Sequence, residues 1–553
     1  MNAKRPPLLV RFLPSLADVA FLLPIVFIFA KLGGLGVMLG DGDTGWHIRA
    51  GDWMLENRRV PDKDIFSFTM PDKPWYAWEW LWDAIFSFLH RRFGMEGVVL
   101  ASLFLLCATF FVLYRVVRRR AGNVLAAIAA TGLAAAISSI HWLARPHLVT
   151  FFFLVVFLAI LDRVREGRTK LLFLLPPLTI LWTNLHGGFL VGLSLLGALA
   201  AGEVVAALVG TDSEGRRKRL AQARTYSLAL AGCLASTLLN PYGFRLHTHI
   251  YGYLTESYHR EFIKEFQSLS FQSPVAVFLE PLLLLVAFTL YRFLGQRRFG
   301  DVILLAAWTH LALQMGRNIP ILAIIAAPFV AETLTGLISC LAAADVGTWL
   351  RRAAQGLLSF AAEIGAIDAV GRLHLASAGL FFVVLAIVFA PNPPERFIVK
   401  YDGKKYPEKA LSFLADRDLA RKRIFTSDEW GDYLIYKLYP SVKVFLDGRS
   451  DFYGPDFGKK YIDSISVKYS WEGLFRKHRI DTVLLPVDFA LASTMKESDR
   501  WQVVYDDGIA IVFRSRNAEP SAWAGARPAS GQVLSPFTEG EVSGGGSAAA
   551  SRH

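Results

Sequence analysis

The chain has 553 residues, of which 53% are hydrophobic and 19% charged, and its formal net charge is +12. This is the composition of a polytopic membrane protein, and it excludes a nucleic-acid partner as the reason for the charge if the basic residues can be explained by topology. The three cysteines, Cys107, Cys233 and Cys340, are too scattered for a metal site or a disulfide framework. They fall inside apolar runs and read as core residues.

Apolar runs of roughly 20 residues, the length that crosses a bilayer, fall at about 17–39, 96–114, 121–140, 147–161, 170–185, 188–209, 223–239, 275–293, 301–316, 319–341 and 373–391. About eleven spans are therefore expected. Lys4, Arg5 and Arg11 precede the first; Arg118 to Arg120 follow the second; Arg163, Arg165, Arg168 and Lys170 follow the fourth. Arg216 to Arg219 follow the sixth, Arg292, Arg297 and Arg298 the eighth, and Arg351 and Arg352 the tenth. Every second connection is short and basic, which predicts a multi-pass protein of the inner (plasma) membrane with a cytoplasmic amino terminus and a carboxyl terminus on the outer, periplasmic side. No cleavable signal peptide is expected, because the first apolar run is long and no small-residue cleavage site precedes the acidic loop behind it.

The first outer loop, 40–94, opens with Leu39-Gly40-Asp41-Gly42-Asp43-Thr44-Gly45-Trp46-His47. Glycines between and beside the two acids let the backbone turn tightly, so the carboxylates can converge on a cation or a substrate hydroxyl; the bland alternative is a solvated turn. Further on, Gly51 to Leu55 continues a helical pattern and Asp64 to Thr69 looks extended. From Trp75 to Phe93 the chain is amphipathic and rich in indoles around Glu79 and Asp83. That segment either floats at headgroup level or presents Glu79 toward Asp41 and Asp43.

Later outer connections carry His141, Arg145, Pro146 and His147; then Asn184 and His186; then Asn240, His247 and His249; then Arg317 and Pro320. With His47, His90 and His259, eight of the twelve histidines thus collect on one face. Arg145 and Arg317 at membrane depth need an anionic partner, either a phosphate gripped by the guanidinium fork or a first-loop carboxylate. The polar stretch in 240–274 reads as a lid over this face or as an interfacial helix. Residues 342–372 read as an amphipathic cytoplasmic connection.

Pro391 to Pro394 marks a stiff boundary, after which 392–515 reads as a soluble α/β domain. Helices are expected at Tyr406–Leu419, Trp430–Leu438 and Trp471–Lys477. Strands are expected at Arg423–Thr426, Val442–Leu446 and Thr482–Leu485, with a final pair at Trp501–Tyr505 and Ile509–Phe513. The tail 516–553, rich in Ala, Gly, Ser and Pro, reads as disordered. No internal repeat is visible.

A cytoplasmic start, a long first outer loop that opens with acids, about eleven spans and an outer soluble domain together resemble the GT-C superfamily of integral membrane glycosyltransferases, over 17–515. Its members include protein mannosyltransferases, the catalytic subunit of oligosaccharyltransferase and transferases of aminoarabinose to lipid A. Glu429-Trp430-Gly431-Asp432-Tyr433-Leu434 is similar to the oligosaccharyltransferase Trp-Trp-Asp-Tyr-Gly motif, but Gly431 stands for the second tryptophan and Leu434 for the glycine, so sequon recognition does not carry over. The loop Val444 to Tyr453 offers Asp447 and Arg449 either as ligand contacts or as a domain-stabilising turn.

The resemblance implies transfer of a sugar from a polyprenyl-phosphate donor to a lipid, glycan or protein acceptor at the outer face, by one inverting displacement. Asp41 or Asp43 would act as base, with Glu79 behind them. Arg145 and Arg317 would neutralise the leaving phosphate, helped by His186 and His249; His47, His147, His247, Asp432, Asp447 and Arg449 complete the candidate binding set. A divalent cation, Mg or Mn, held by Asp41, Asp43 and Glu79 is a further expectation. The rivals are a polymerase or ligase of lipid-linked glycans, a transporter or flippase, and a non-catalytic partner in envelope polysaccharide assembly.

Overall fold

A computed structural model describes residues 8–210, 212–345, 347–416 and 423–516. The first helix, α1 (Leu16–Ala30), starts at a capping box in which Ser15 and Asp18 satisfy each other's backbone N–H groups. It stops sooner than its apolar run, because Gly33 and Gly34 take positive φ and fold the chain back into a short 3-10 turn at Leu35–Leu39. Next come α2 (Asp43–Asn57), α3 (Trp80–Ala121), α4 (Val124–Ser138), α5 (His147–Arg165), α6 (Leu175–Leu185), α7 (Phe189–Val209) and α8 (Ser213–Ser236). The chain continues through α9 (Arg245–Thr255), α10 (Ser257–Phe262), α11 (Ala276–Gly295), α12 (Phe299–Gln314), α13 (Ile319–Ala343), α14 (Thr348–Asp368) and α15 (Leu375–Val388).

Each of the eleven apolar runs contains a helix, and among the described residues seven helical segments are long and apolar enough to cross a membrane: Val10–Ala30, Trp80–Ala121, Val124–His141, His147–Arg165, Phe189–Val209, Ala276–Gly295 and Gly316–Ala343. The remaining four fall short for visible reasons. α6, α12 and α15 have 11, 16 and 14 residues, and the first half of α8 contains the basic run Arg216 to Arg219. Cys107 and Cys233 are buried as expected, whereas Cys340, near the end of α13, is exposed.

The first loop is an ordered platform. Two turns into α2, Gly51 meets the backbone of α3, where a Cβ would lie 1.9 Å from the Asp83 carbonyl oxygen. Only glycine admits that approach, and it sets His47, one turn earlier on the same face, against Asp83. α3 is broken at Gly94, φ +66°, so its aromatic first part is set off from its long apolar part. Trp75 and Trp82 do not float at an interface: both are buried.

The soluble part contains α16 (Glu408–Asp416), β1 (Ile424–Phe425), α17 (Asp428–Leu438), α18 (Ser450–Tyr453), α19 (Pro455–Ile465), α20 (Gly473–His478), β2 (Thr482–Pro486), α21 (Ala490–Lys496), β3 (Trp501–Asp506) and β4 (Ala510–Ser515). Its sheet has the order β1-β2-β4-β3, parallel between β1 and β2 and antiparallel elsewhere. The expected strand Val442–Leu446 does not join it. Val444 instead exchanges backbone hydrogen bonds with Phe66 and Phe68 of the first loop, 3.0 Å each, so this segment ties the soluble part to the platform. The end of the expected helix at 406–419 and all but the first residue of the tail 516–553 lie outside the described residues.

Buried charges reinforce that seam. Arg449 donates to Asp447 and to Asp64 of the first loop, 2.7 Å each, with its guanidinium 4.5 Å from the centre of the Trp75 ring. All three side chains are almost wholly buried, so Asp447 and Arg449 do form a stabilising turn, closed across two parts of the chain.

Candidate active site

Two backbone pins bring the sequence-distant acids and arginine together. The Ala144 N–H donates to the Met38 carbonyl at 2.8 Å, and the Thr44 hydroxyl donates to the Ala144 carbonyl at 3.0 Å. Arg145 is thereby held at the amino-terminal end of α2, with Nη1 2.8 Å from Asp41 and Nη2 2.5 Å from Asp43. A third carboxylate arrives from the stretch between α10 and α11: Glu265 lies 2.9 Å from Nη1. Burial would raise the Glu265 carboxyl, but Arg145 and Arg317 outweigh it and hold the group well below its usual range.

Asp43 behaves differently. Burial, with Asp41 and Glu265 adding like charge, outweighs Arg145 and pushes its carboxyl up to about 7. It hydrogen-bonds Asp432 of α17, whose own carboxyl is raised well above the usual range by burial and by the nearby Asp43 and Asp447. Two buried carboxyls can face each other in this way by sharing a proton. Glycines make the meeting possible: a Cβ on Gly431 would lie 2.0 Å from the Leu446 carbonyl, and one on Gly448 would lie 2.5 Å from Asp43 and 2.7 Å from Asp432. The departure of Gly431 from the tryptophan motif therefore has a steric cause.

Two cavities meet at this cluster. The smaller, about 340 Å³, is walled by Asp41, Asp428, Glu429, Asp432 and Asp447 with the rings of Tyr258, Tyr453 and Phe457. The larger, about 500 Å³, runs from the first loop down to apolar side chains of α7, α12 and α13, including Leu190, Leu311 and Ile321. Asp43, Arg145, Tyr253 and Glu265 line both.

In the larger cavity Glu79 is 3.4 Å from His186 Nε2 and 3.8 Å from His47 Nε2. The Gly188 N–H donates to His186 Nδ1 at 3.0 Å, and Thr150, which accepts from Trp182 Nε1, lies 2.7 Å from the same nitrogen. Nδ1 therefore carries the lone pair, and the proton of the neutral ring sits on Nε2, toward Glu79. Burial, with Arg317 and Arg145 adding to it, lowers His186 to about 3, while burial raises Glu79 to about 8. His47, also held well below its usual range by burial, is 2.6 Å from Asp83. His147 donates from Nε2 to the His141 carbonyl at 2.6 Å. Arg317 receives no carboxylate among the described residues. It donates to the Tyr253 hydroxyl at 3.2 Å and packs on the Phe266 ring.

Of the residues singled out in the sequence, Asp43, His47, Glu79, Arg145, His147, His186, Arg317 and Arg449 line the larger cavity, and Asp41, Asp432 and Asp447 the smaller. His249 stands one step behind, 2.9 Å from Asp451 and stacked on Tyr76. His247 lines neither cavity: it bonds Thr237 and stacks on Phe244. Glu79 faces the histidines rather than Asp41. Sequence inspection missed Glu265 and Asp64, for which one chain offers no signal, since their partners lie 120 and 385 residues away.

The donor set does not suit a divalent cation. Asp41 and Asp43 are taken up by the guanidinium between them, Glu79 is turned to two neutral imidazoles, and no group of three His, Cys, Asp or Glu residues is gathered for a metal among the described residues. The Arg145 fork occupies the centre where an ion would sit.

No family model matches the chain, and no curated protein matches it at a significant level. Among solved structures it is similar to the oligosaccharyltransferase of Archaeoglobus fulgidus tethered with an acceptor peptide containing the NVT sequon, with TM-score 0.52 and 14% identity, covering 85% of this chain and 68% of that one. AglB from the same organism, in complex with an inhibitory peptide and a dolichol-phosphate, gives TM-score 0.52 and 12% identity over 85% and 69%. A weaker likeness, TM-score 0.41 and 13% identity over 88% and 97%, is to ArnT from Cupriavidus metallidurans bound to undecaprenyl phosphate. With its apolar helices and its small carboxyl-terminal sheet, the chain is a multi-pass membrane protein that shares the fold of these oligosaccharyltransferase structures.

Proposed function

We propose that this protein is a glycosyltransferase that moves a sugar from a polyprenyl-phosphate carrier, bound in the larger cavity, to a hydroxyl of a glycan or glycolipid acceptor in the smaller one. The observation that carries this reading is the meeting of two chemically different cavities at Asp43 and Arg145. One is apolar at its membrane end and holds a guanidinium, Arg317, that pairs with no carboxylate among the described residues, as a lipid phosphate requires. The other combines carboxylates, which accept hydrogen bonds from hydroxyls, with aromatic rings, on which sugar C–H faces pack. The reported complex of AglB with dolichol-phosphate is consistent with a carrier of this class.

Ionised Asp43 takes the acceptor proton as the hydroxyl oxygen forms its bond to the anomeric carbon. The bond from that carbon to the phosphate oxygen breaks on the opposite side, which inverts the centre, and the charge left on the phosphate is met by Arg317 and Arg145. Glu79, protonated at neutral pH, offers a hydrogen-bond donor to the same oxygens. Arg145 supplies the positive charge at the acid cluster, so transfer runs without a divalent cation. The site faces the outer side of the membrane, with the 240–274 segment, which carries Tyr253 and Glu265, as its lid.

Binding of the carrier phosphate tests the donor half. Purified protein should bind undecaprenyl phosphate and not undecaprenol, and Arg317→Ala should weaken that binding by tenfold or more, in line with loss of a charge-assisted contact of about 1.5–3 kcal/mol. Equal binding of the alcohol and the phosphate would refute the assignment.

A further inference from the structure

The membrane domain has a second polar basin at its other end. α3 carries the chain away from the site, and at its far end Arg115, Arg118 and Arg119 face Asp368, the last residue of α14, and the loop behind it, which holds Arg372 and His374, around a cavity of about 430 Å³. Among the described residues four guanidinium groups line it against one carboxylate. That carboxylate is already engaged: Asp368 accepts from the Leu16 N–H at 2.8 Å and the Tyr114 hydroxyl at 3.0 Å, and pairs with Arg118 at 3.2 Å. His374 turns to Asp18 at 3.2 Å.

The other three arginines are short of anions. Arg115 makes no ion pair among the described residues, and its guanidinium lies 5.6 Å from the centre of the Phe111 ring. Arg119 reaches Glu166 at 3.9 Å. Arg372 is spent on the backbone carbonyls of Val10 and Ile367, with its Nε buried and unpartnered. Like charges held this close favour entry of an anion. Beside the basin α14 exposes Leu357, Phe360 and Ile367, an apolar stripe of the kind that lies in the interfacial layer of a bilayer, at the depth of lipid phosphates.

We propose that this basin is a binding site for a phosphate group, separate from the proposed donor cavity and on the opposite face of the membrane domain. The group comes either from an anionic lipid headgroup of that leaflet or from free phosphate, and it completes the charge balance between α3, α14 and the start of α1.

The test measures binding of short-chain phosphatidylglycerol, of the matching diacylglycerol and of inorganic phosphate to full-length protein in detergent. The proteins compared are wild type, Arg115→Gln/Arg119→Gln, and the control Arg216→Gln/Arg217→Gln, whose arginines are exposed on α8. At about 1 kcal/mol per basic residue, the first pair should weaken phosphatidylglycerol binding about thirtyfold while the control stays within about twofold. If the double variant folds poorly, Arg115→Gln alone should still cost about fivefold. Tighter binding of phosphatidylglycerol than of inorganic phosphate assigns the lipid as source; equal binding, lost in the same variant, assigns free phosphate. The proposal is overturned if wild type binds neither phosphate probe, if diacylglycerol binds as well as phosphatidylglycerol, or if the basin variants bind like wild type.

Discussion

Nη2 of Arg145 stands 2.5 Å from Oδ2 of Asp43, and the same guanidinium holds Glu265, 120 residues further along the chain, at 2.9 Å. The lid segment and the proposed base therefore compete for one cation, and an incoming phosphate joins that competition. Glu265→Gln removes one competitor, so the affinity for undecaprenyl phosphate should rise by up to about tenfold at low ionic strength. Arg145→Lys keeps the charge but loses the fork, and turnover should fall by about a hundredfold or more with the fold intact. Titration with labelled carrier and a transfer assay check both.

Activity should be confined to a narrow pH range. Asp43 acts when ionised and is raised to about 7, so the rate rises as pH climbs through neutrality. Glu79 acts when protonated and is raised to about 8, so the rate falls again above that. Glu79→Gln keeps a hydrogen-bond donor that cannot ionise. Its pH profile should lose the alkaline limb and keep the acidic one.

The same two groups tie stability to pH. Both carboxyls are raised by burial above their ordinary values of 3.8 and 4.5, so the folded chain keeps protons that the unfolded chain releases. Their contribution is fully present below about pH 4 and is lost as pH rises through about 7 and 8. Asp43→Asn and Glu79→Gln should therefore raise the melting temperature in detergent more at pH 8.5 than at pH 5. An equal shift at both values would contradict the burial argument.

Arg449 lies buried between Asp447 and Asp64. Truncation to Ala leaves two buried carboxylates without their cation, a loss of about 3–5 kcal/mol. The melting temperature should fall, and the soluble part should become open to proteolysis at the seam of Phe66 and Val444.

How much of this was legible in the sequence depends on the reach of each interaction. The acid turn at the mouth of the first helix, the arginines beside prolines and the histidines gathered on one face are local patterns, and the fold brings most of them to one pair of cavities. Four helices were read as spans from apolar runs that the fold cuts shorter or charges at one end. The strand expected at Val442–Leu446 has the right pattern but pairs with Phe66 and Phe68 instead of the sheet. Glu265 and Asp64 owe their roles to partners brought close only by folding, and nothing adjacent to either residue announces them.

The central claim is that Asp43 takes a proton from an acceptor hydroxyl while a lipid phosphate leaves on the other side of Arg145. Purified wild type and Asp43→Asn, incubated with radiolabelled polyprenyl-phosphate sugars and an envelope glycan extract, test it most directly. The wild type should label the acceptor with EDTA present, and Asp43→Asn should do so about a hundredfold or more slowly while binding undecaprenyl phosphate no more weakly than the wild type. Equal rates for the two proteins, or no transfer by the wild type from any donor, would contradict it.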